Sequence, residues 1–254
     1  MNSSRLPGPV VVTGAASGIG RATATLLAES GVDLALLDRD ATGLRETADS
    51  LTTSTHTEVC DVADSAAVAA AFANAVASLG PLAGVVSAAG TLTPGTLADT
   101  TDDDFTRHLA VNAGGALNCL RGARTHVRDG GAVVVVSSNA ARVPRTGMLA
   151  YAASKAATSA LARSAGLELA ARGIRCNVVE PGSTDTPMQQ ALWADAEAGA
   201  RAALHGSPEE FRIGIPLGRL ADPADVAATI CFLLSPAARH ITLQQLFVDG
   251  GASL

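Results

Sequence analysis

The chain has 254 residues, 48% hydrophobic and 17% charged, enough to bury a large core in one domain. A net charge of −6 speaks against nucleic acid, which needs a basic face. No apolar run approaches the ~20 residues that span a bilayer, and Met1 to Gly8 holds no apolar leader. The four cysteines show no metal spacing, so a cytoplasmic protein without membrane contact or metal is expected.

Short β-branched runs alternate with longer alanine-rich helical patterns. That alternation predicts an α/β fold: one Rossmann-like domain over 1–254, a doubly wound seven-stranded parallel sheet with helices on both faces. In chain order the predicted strands are Val10–Thr13, Asp33–Leu37, His56–Val59, Gly84–Ser87, Ala132–Ser137, Arg175–Val179 and Gln244–Val248. Several are apolar at successive positions, as strands covered on both sides are. The predicted helices are Gly18–Ser30, Asp40–Ser50, Asp64–Leu79, Asp102–Val127, Ala150–Ala171, Asp185–Ala203 and Pro223–Leu234. The stretch 185–216 is the least regular. It holds the only tryptophan, Trp193, and reads as a cover over a substrate site.

The first strand runs into Thr13-Gly14-Ala15-Ala16-Ser17-Gly18-Ile19-Gly20 and then a helix. Glycines there allow a tight turn and close approach to a pyrophosphate, with the helix N-terminus facing the anion. The context of strand, turn and helix is the one a dinucleotide site requires. Asp38, eighteen residues after Gly20, ends the second strand where an acid accepts from the adenosine ribose. A carboxylate there repels a 2′-phosphate, which favours NAD, although neighbouring Arg39 is able to hold one. Asp61 either reads the adenine or caps the next helix.

The sole tyrosine and the sole lysine lie four residues apart in Tyr151-Ala-Ala-Ser-Lys155, whereas the other seventeen basic side chains are arginine. That spacing puts both on one helix face. Lysine differs from arginine in being a compact ammonium that shifts its pKa readily. A phenol must drop by ~3 units to act as a base near neutrality, and one close cation supplies ~1–3. Lys155 alone is borderline, so Tyr151 is expected to act as base only with the oxidised cofactor bound. Ser138, after four valines ending a strand, lies thirteen residues before Tyr151, at the end of the sheet that faces ligands.

Together these residues resemble the short-chain dehydrogenase/reductase family, over essentially the whole chain. The resemblance implies Tyr151 as catalytic base, Ser138 as donor to the substrate oxygen and Lys155 as ribose ligand and pKa modifier. It implies Asn112 as the fourth catalytic position, beside a relay water. It places cofactor contacts at Gly14, Ser17, Gly18, Ile19, Gly20, Asp38, Asp61, Val62, Ala89, Gly90, Tyr151, Lys155, Pro181, Gly182, Thr184 and Thr186. One departure is Ser87-Ala88-Ala89-Gly90, which lacks the family's usual asparagine and puts local strand support in doubt.

Within the family, the run from Pro181 to Trp193, then Gly214-Ile-Pro-Leu-Gly218, His240-Ile-Thr-Leu-Gln244, Val248-Asp-Gly-Gly251 and Pro144 to Met148, resembles the 2,3-dihydro-2,3-dihydroxybenzoate dehydrogenases of catechol siderophore pathways. That implies oxidation of a carboxylated cyclohexadiene with NAD, followed by aromatisation. Arginine suits a carboxylate. Arg145 and Arg142 both lie on the loop between Ser138 and Tyr151, and Arg145 is the expected ligand, with Met188, Gln189 and Trp193 along the pocket. Alternatives are a dehydrogenase of trans-2,3-dihydro-3-hydroxyanthranilate, a generic ketone or thioester reductase, and a non-catalytic cofactor-binding regulator. The family analogy and the small-residue patch at Ala152, Ala156, Ala157 and Ala160 imply a homotetramer or dimer.

Overall fold

The computed structural model describes Leu6 and residues 8–253. Strands β1 (Val10–Thr13), β2 (Leu34–Asp38), β3 (Thr55–Val59), β4 (Leu82–Ser87), β5 (Val127–Val136) and β6 (Arg175–Pro181) come first. The short β7 (Gly206–Ser207) and β8 (Arg212–Ile213) then form an antiparallel ribbon, and β9 (Gln245–Val248) ends the series. The main sheet has the order β3-β2-β1-β4-β5-β6-β9, and every pair in it is parallel. The order reverses between β1 and β4, which opens a crevice at the strand C-termini. All seven predicted strands are present: β1 has the predicted bounds, β2 is shifted by one residue, β9 is one residue shorter, and β3, β4, β5 and β6 are extended at one end by one to five residues.

Alternation along each strand explains the continuous apolar runs. Val10 and Val12 of β1, with Leu34 and Leu36 of β2, pack on one side. There they meet Leu27 of α1 (Gly18–Glu29), Leu44 of α2 (Ala41–Asp49), and Ile230 and Leu233 of α9 (Pro223–Leu234). Val11, Ala35, Leu37, Val133 and Val135 point to the other side. There they meet Phe72 of α3 (Ser65–Leu79), Leu120 of α5 (Gly115–His126) and Leu169 of α6 (Leu149–Ala170). Each fully buried Val, Leu or Phe contributes roughly 1.5–3 kcal/mol of transfer free energy. Both faces are therefore covered, as the pattern predicts.

Two predicted helices differ. Asp102–Val127 is not continuous: α4 (Asp102–His108) passes into a π-helical turn at Leu109–Gly114 before α5. Asn112 sits inside that turn, where its amide bonds to a neighbouring loop rather than following the helix. Asp185–Ala203 is likewise two short helices, α7 (Pro187–Gln190) and α8 (Ala196–His205). Thr186 caps α7 at Gln189 N and Asp195 caps α8 at Ala198 N, so the chain between them turns. Among the described residues no helix is long and apolar enough to cross a membrane, and no group of His, Cys, Asp or Glu is placed to hold a metal.

Candidate active site

A cavity of about 570 Å³ lies along the C-terminal ends of the strands. The glycine turn forms its floor. Gly14 has φ +70, and a side chain there would meet the Ala89 backbone at 2.8 Å. A Cβ on Gly20 would fall 2.0 Å from Gly14 O, so β1 and α1 meet only through glycine. Ser17 is the N-cap of α1, yet its hydroxyl makes no capping bond, which leaves the first helical N–H groups directed at the cavity. This cradle fits a dinucleotide pyrophosphate. The segment from Pro181 to Thr186 closes over it: the Thr186 methyl is 3.2 Å from where a Gly18 Cβ would be. Gly182 donates to Val248 O at 3.1 Å, and the Thr184 hydroxyl to Gly182 O at 3.1 Å.

Asp38 lines the same cavity with both carboxylate oxygens oriented by backbone, Oδ2 from Ala16 N and Oδ1 from Asp40 N, each at 3.0 Å. Arg39 lines it too. Asp61 does not cap α3. Asp64 does, accepting from Ala66 N and Ala67 N, whereas Asp61 accepts only from Ala63 N and stays exposed at the cavity beside buried Val62. Support for the asparagine-free segment after β4 comes from Thr13, whose hydroxyl accepts from Ala88 N at 3.2 Å and Ala89 N at 3.3 Å. Gly90 lies against Asn112 Oδ1 and Lys155 Nζ; a Cβ there would be 3.1 and 3.4 Å from them.

Helix α6 carries Tyr151 and Lys155 past the end of β5, where Ser138 follows. All three are buried and line the cavity. Asn112 donates to Thr91 O (3.0 Å) and Ser154 Oγ (2.8 Å) and accepts from Thr91 N (2.8 Å). Both of its amide protons are thus committed to holding the loop after β4 against α6. Lys155 Nζ donates to Val136 O at 3.0 Å, and the Ser137 hydroxyl donates to Lys155 O at 2.9 Å. These bonds fix the ammonium under the strand end.

The electrostatics bear on the roles expected of Tyr151 and Lys155. Burial pushes the Tyr151 phenol above its ordinary value of 10, opposed by a hydrogen bond from Ser138 and the charge of Arg145. Lys155, 5.8 Å from the Tyr151 ring centroid, does not acidify it in the free protein. Burial lowers Lys155 to about 8, so its charge is lost before the phenol ionises. The free site holds a neutral phenol.

Of the two loop arginines, Arg142 turns away: its guanidinium lies 4.7 Å over the Phe247 ring and 3.7 Å from Glu180. Arg145 lines the cavity, with a buried Nε that has no hydrogen-bond partner. Met188, Gln189 and Trp193 line it as well. The Trp193 ring lies against Gly199, where a Cβ would be 2.2 Å from it. Two residues escaped the sequence reading. His108 is fully buried and edge-on to Tyr151 at 6.4 Å. Its Nδ1–H donates to Asp104 O at 2.7 Å while Nε2 accepts from Thr93 N at 3.0 Å, a neutral tautomer that braces the ring. Arg212 of β8 also reaches the cavity. Its signal was faint: Arg201, the other arginine of 185–216, pairs with Glu197 four residues back, and Arg212 has no such mate.

A family model described as enoyl-(acyl carrier protein) reductase matches residues 14–253. The chain is 44% identical over 260 residues to a 2,3-dihydro-2,3-dihydroxybenzoate dehydrogenase of Bacillus subtilis, covering 100% of this chain and 99% of that one. It is 46% identical over 247 residues to the Escherichia coli protein of the same description, covering 96% of each. A short-chain dehydrogenase of Burkholderia cenocepacia, solved in complex with NADP, superposes with a TM-score of 0.86 at 35% identity, covering 98% of this chain and 100% of that one. With its glycine turn, its parallel seven-stranded sheet and these full-length likenesses, the chain belongs to the short-chain dehydrogenase/reductase family.

Proposed function

We propose that the protein oxidises the C3 alcohol of trans-2,3-dihydro-2,3-dihydroxybenzoate with NAD, yielding a ketone that tautomerises to 2,3-dihydroxybenzoate, a siderophore precursor. The observation that carries this reading is the single cavity that joins the glycine cradle, the Ser138–Tyr151–Lys155 cluster and the unpartnered Arg145. The full-length likeness to two dehydrogenases of that description supports the substrate. Asp38 supports NAD over NADP, because a carboxylate accepts from a ribose hydroxyl and repels a phosphate.

Gly14, Ser17, Gly18, Ile19 and Gly20 hold the pyrophosphate, Asp38 the adenosine ribose, and Asp61 and Val62 the adenine. Ala89, Gly90, Pro181, Gly182, Thr184 and Thr186 flank the remainder. Bound NAD supplies the hydride acceptor. Ser138 donates to the substrate oxygen and holds the alcohol against Tyr151. With NAD bound, Lys155, kept charged, would hold Tyr151 as the phenolate, and its Oη takes the alcohol proton as the carbon's hydride leaves to the cofactor. Asn112 and His108 position Lys155 and Tyr151 through Thr91, Ser154 and ring contact. Arg145 binds the ring carboxylate, with Met188, Gln189 and Trp193 as the wall. Residues 185–216 form the cover of a single domain over 1–254. A homotetramer in the cytoplasm fits the exposed Ala156 and Ala160 of α6, which allow close helix approach.

The test is NADH formation from the purified dihydrodiol acid, with NADP and with the 3-hydroxyanthranilate analogue run in parallel. The proposal expects turnover of the acid with a preference for NAD of at least about tenfold. No reduction of either dinucleotide with the acid overturns it.

A further inference from the structure

Two guanidinium groups, Arg145 and Arg212, lie near enough in the cavity to repel one another, with Asp249 the acid that favours Arg145 and Glu210 the acid that favours Arg212. Arg145 enters from the loop before α6 and Arg212 from the β7–β8 ribbon, and both line the space beside Tyr151. Neither makes an ion pair within 4 Å among the described residues. Arg212 Nη2 has only a long bond to Ser183 Oγ, at 3.4 Å. Arg145 Nε is buried with no acceptor. The acid that most favours the Arg145 charge, Asp249, is already engaged by Gly251 N at 3.0 Å and Asn139 Nδ2 at 3.4 Å.

The ribbon is built to hold Arg212 there. Gly206 has φ +77, and a Cβ on it would lie 2.5 Å from Arg212 O, so only glycine permits this pairing. Phe211, 98% exposed, takes a left-handed φ of 54 immediately before Arg212. A bulky residue in that conformation is costly, and its ring stays in solvent. Burial first, then the nearby charge of Arg212, holds the Arg145 guanidinium below its ordinary range. Two desolvated like charges are mutually unfavourable until an anion enters between them.

We propose that Arg212 is a specificity-determining residue, the second half of a carboxylate grip with Arg145, so that the acidic group of the ring is held between the loop before α6 and the 185–216 cover. This rests on the oxidation of a carboxylated ring proposed above and names the cover residue that selects for the carboxylate. A carboxylate presents two oxygens, and each guanidinium offers paired N–H donors to one of them. The same cationic chemistry also suits a cofactor phosphate, because Ser183 belongs to the segment that closes over the cradle.

The experiment is equilibrium titration of 2,3-dihydroxybenzoate and of catechol, the same ring without its carboxylate, into the protein saturated with NADH. Wild type, R212A, R212K and R145A are compared, with NADH affinity measured for each. Wild type should prefer the acid by at least about tenfold. R212A should cut that preference by about tenfold, R145A by a similar factor, and R212K by less, with NADH affinity held within about threefold. An R212A preference equal to wild type overturns the proposal, as does a loss that falls on NADH instead, which assigns Arg212 to the cofactor phosphates. Equal weakening of acid and catechol also overturns it, because Arg212 then serves only the fold of the cover. The titration does not depend on turnover. A wild type that makes no NADH from the dihydrodiol acid refutes the activity, whichever way these affinities fall.

Discussion

Because Tyr151 is the only tyrosine, its ionisation can be read without interference from any other phenol. In the free protein burial dominates, and the phenolate band should appear only above pH 10. Lys155 titrates first, at about 8, so it lends no charge at that point. Its charge would matter if retained: at 5.8 Å from the ring centroid, with an effective dielectric of about 20, a unit charge is worth about 3 kcal/mol, or ~100-fold in ionisation. Saturating NAD should therefore move the phenolate midpoint downward, since ribose hydroxyls would give the ammonium the partners that keep it protonated. Spectrophotometric pH titration of wild type and Lys155→Met, each with and without NAD, measures this. Lys155→Met with NAD should retain a markedly higher midpoint than wild type with NAD. A free-protein midpoint below 10, or an equal drop in both proteins, refutes the reasoning.

Glu180 is fully buried on β6, with Oε1 bonded by Ser159 and Gln245 at 2.9 Å each and Oε2 without a hydrogen bond, 3.7 Å from Arg142 Nη1. Burial raises its carboxyl above 4.5 despite Ser159 and Arg142, so the folded state keeps the proton longer than the unfolded one. Its stability contribution is complete below about 4.5 and fades as pH rises toward the folded value. Glu180→Gln should therefore gain in melting temperature over wild type as pH rises from 4 to 8; a gain that shrinks with pH contradicts this. Gly20→Ala would place a methyl 2.0 Å from Gly14 O, and calorimetry should show NAD affinity lowered more than about tenfold. Thr13→Val removes the acceptor shared by Ala88 N and Ala89 N. It should cost about 1–3 kcal/mol, a fall of several degrees in Tm; an unchanged melt would show that the strand end is held otherwise.

The sheet was legible because most of its strands, covered on both faces, are apolar at successive positions, as in the run Val133 to Val136. The glycine turn and the Tyr151–Lys155 spacing were legible because each encodes its geometry in local sequence. The π turn around Asn112 was not, since it depends on an amide reaching Thr91, twenty-one residues away, and Ser154, forty-two away. The break between α7 and α8 had local signals in Thr186-Pro187 and Asp195, but the alanines around them read as one helix. The titration order of Lys155 and Tyr151 was illegible because burial, rather than the spacing of the pair, sets it. Arg212 was hidden because nothing in its own stretch of sequence says that it meets Arg145.

The proton acceptor remains the point on which everything chemical turns. Single-turnover NADH formation from the dihydrodiol acid by Tyr151→Phe, with NAD affinity measured on the same sample, tests it directly. A loss of at least about 100- to 10,000-fold in rate, with NAD affinity unchanged within about threefold, is the predicted result. A Phe variant that keeps a tenth or more of the wild-type rate would contradict Tyr151 as the base.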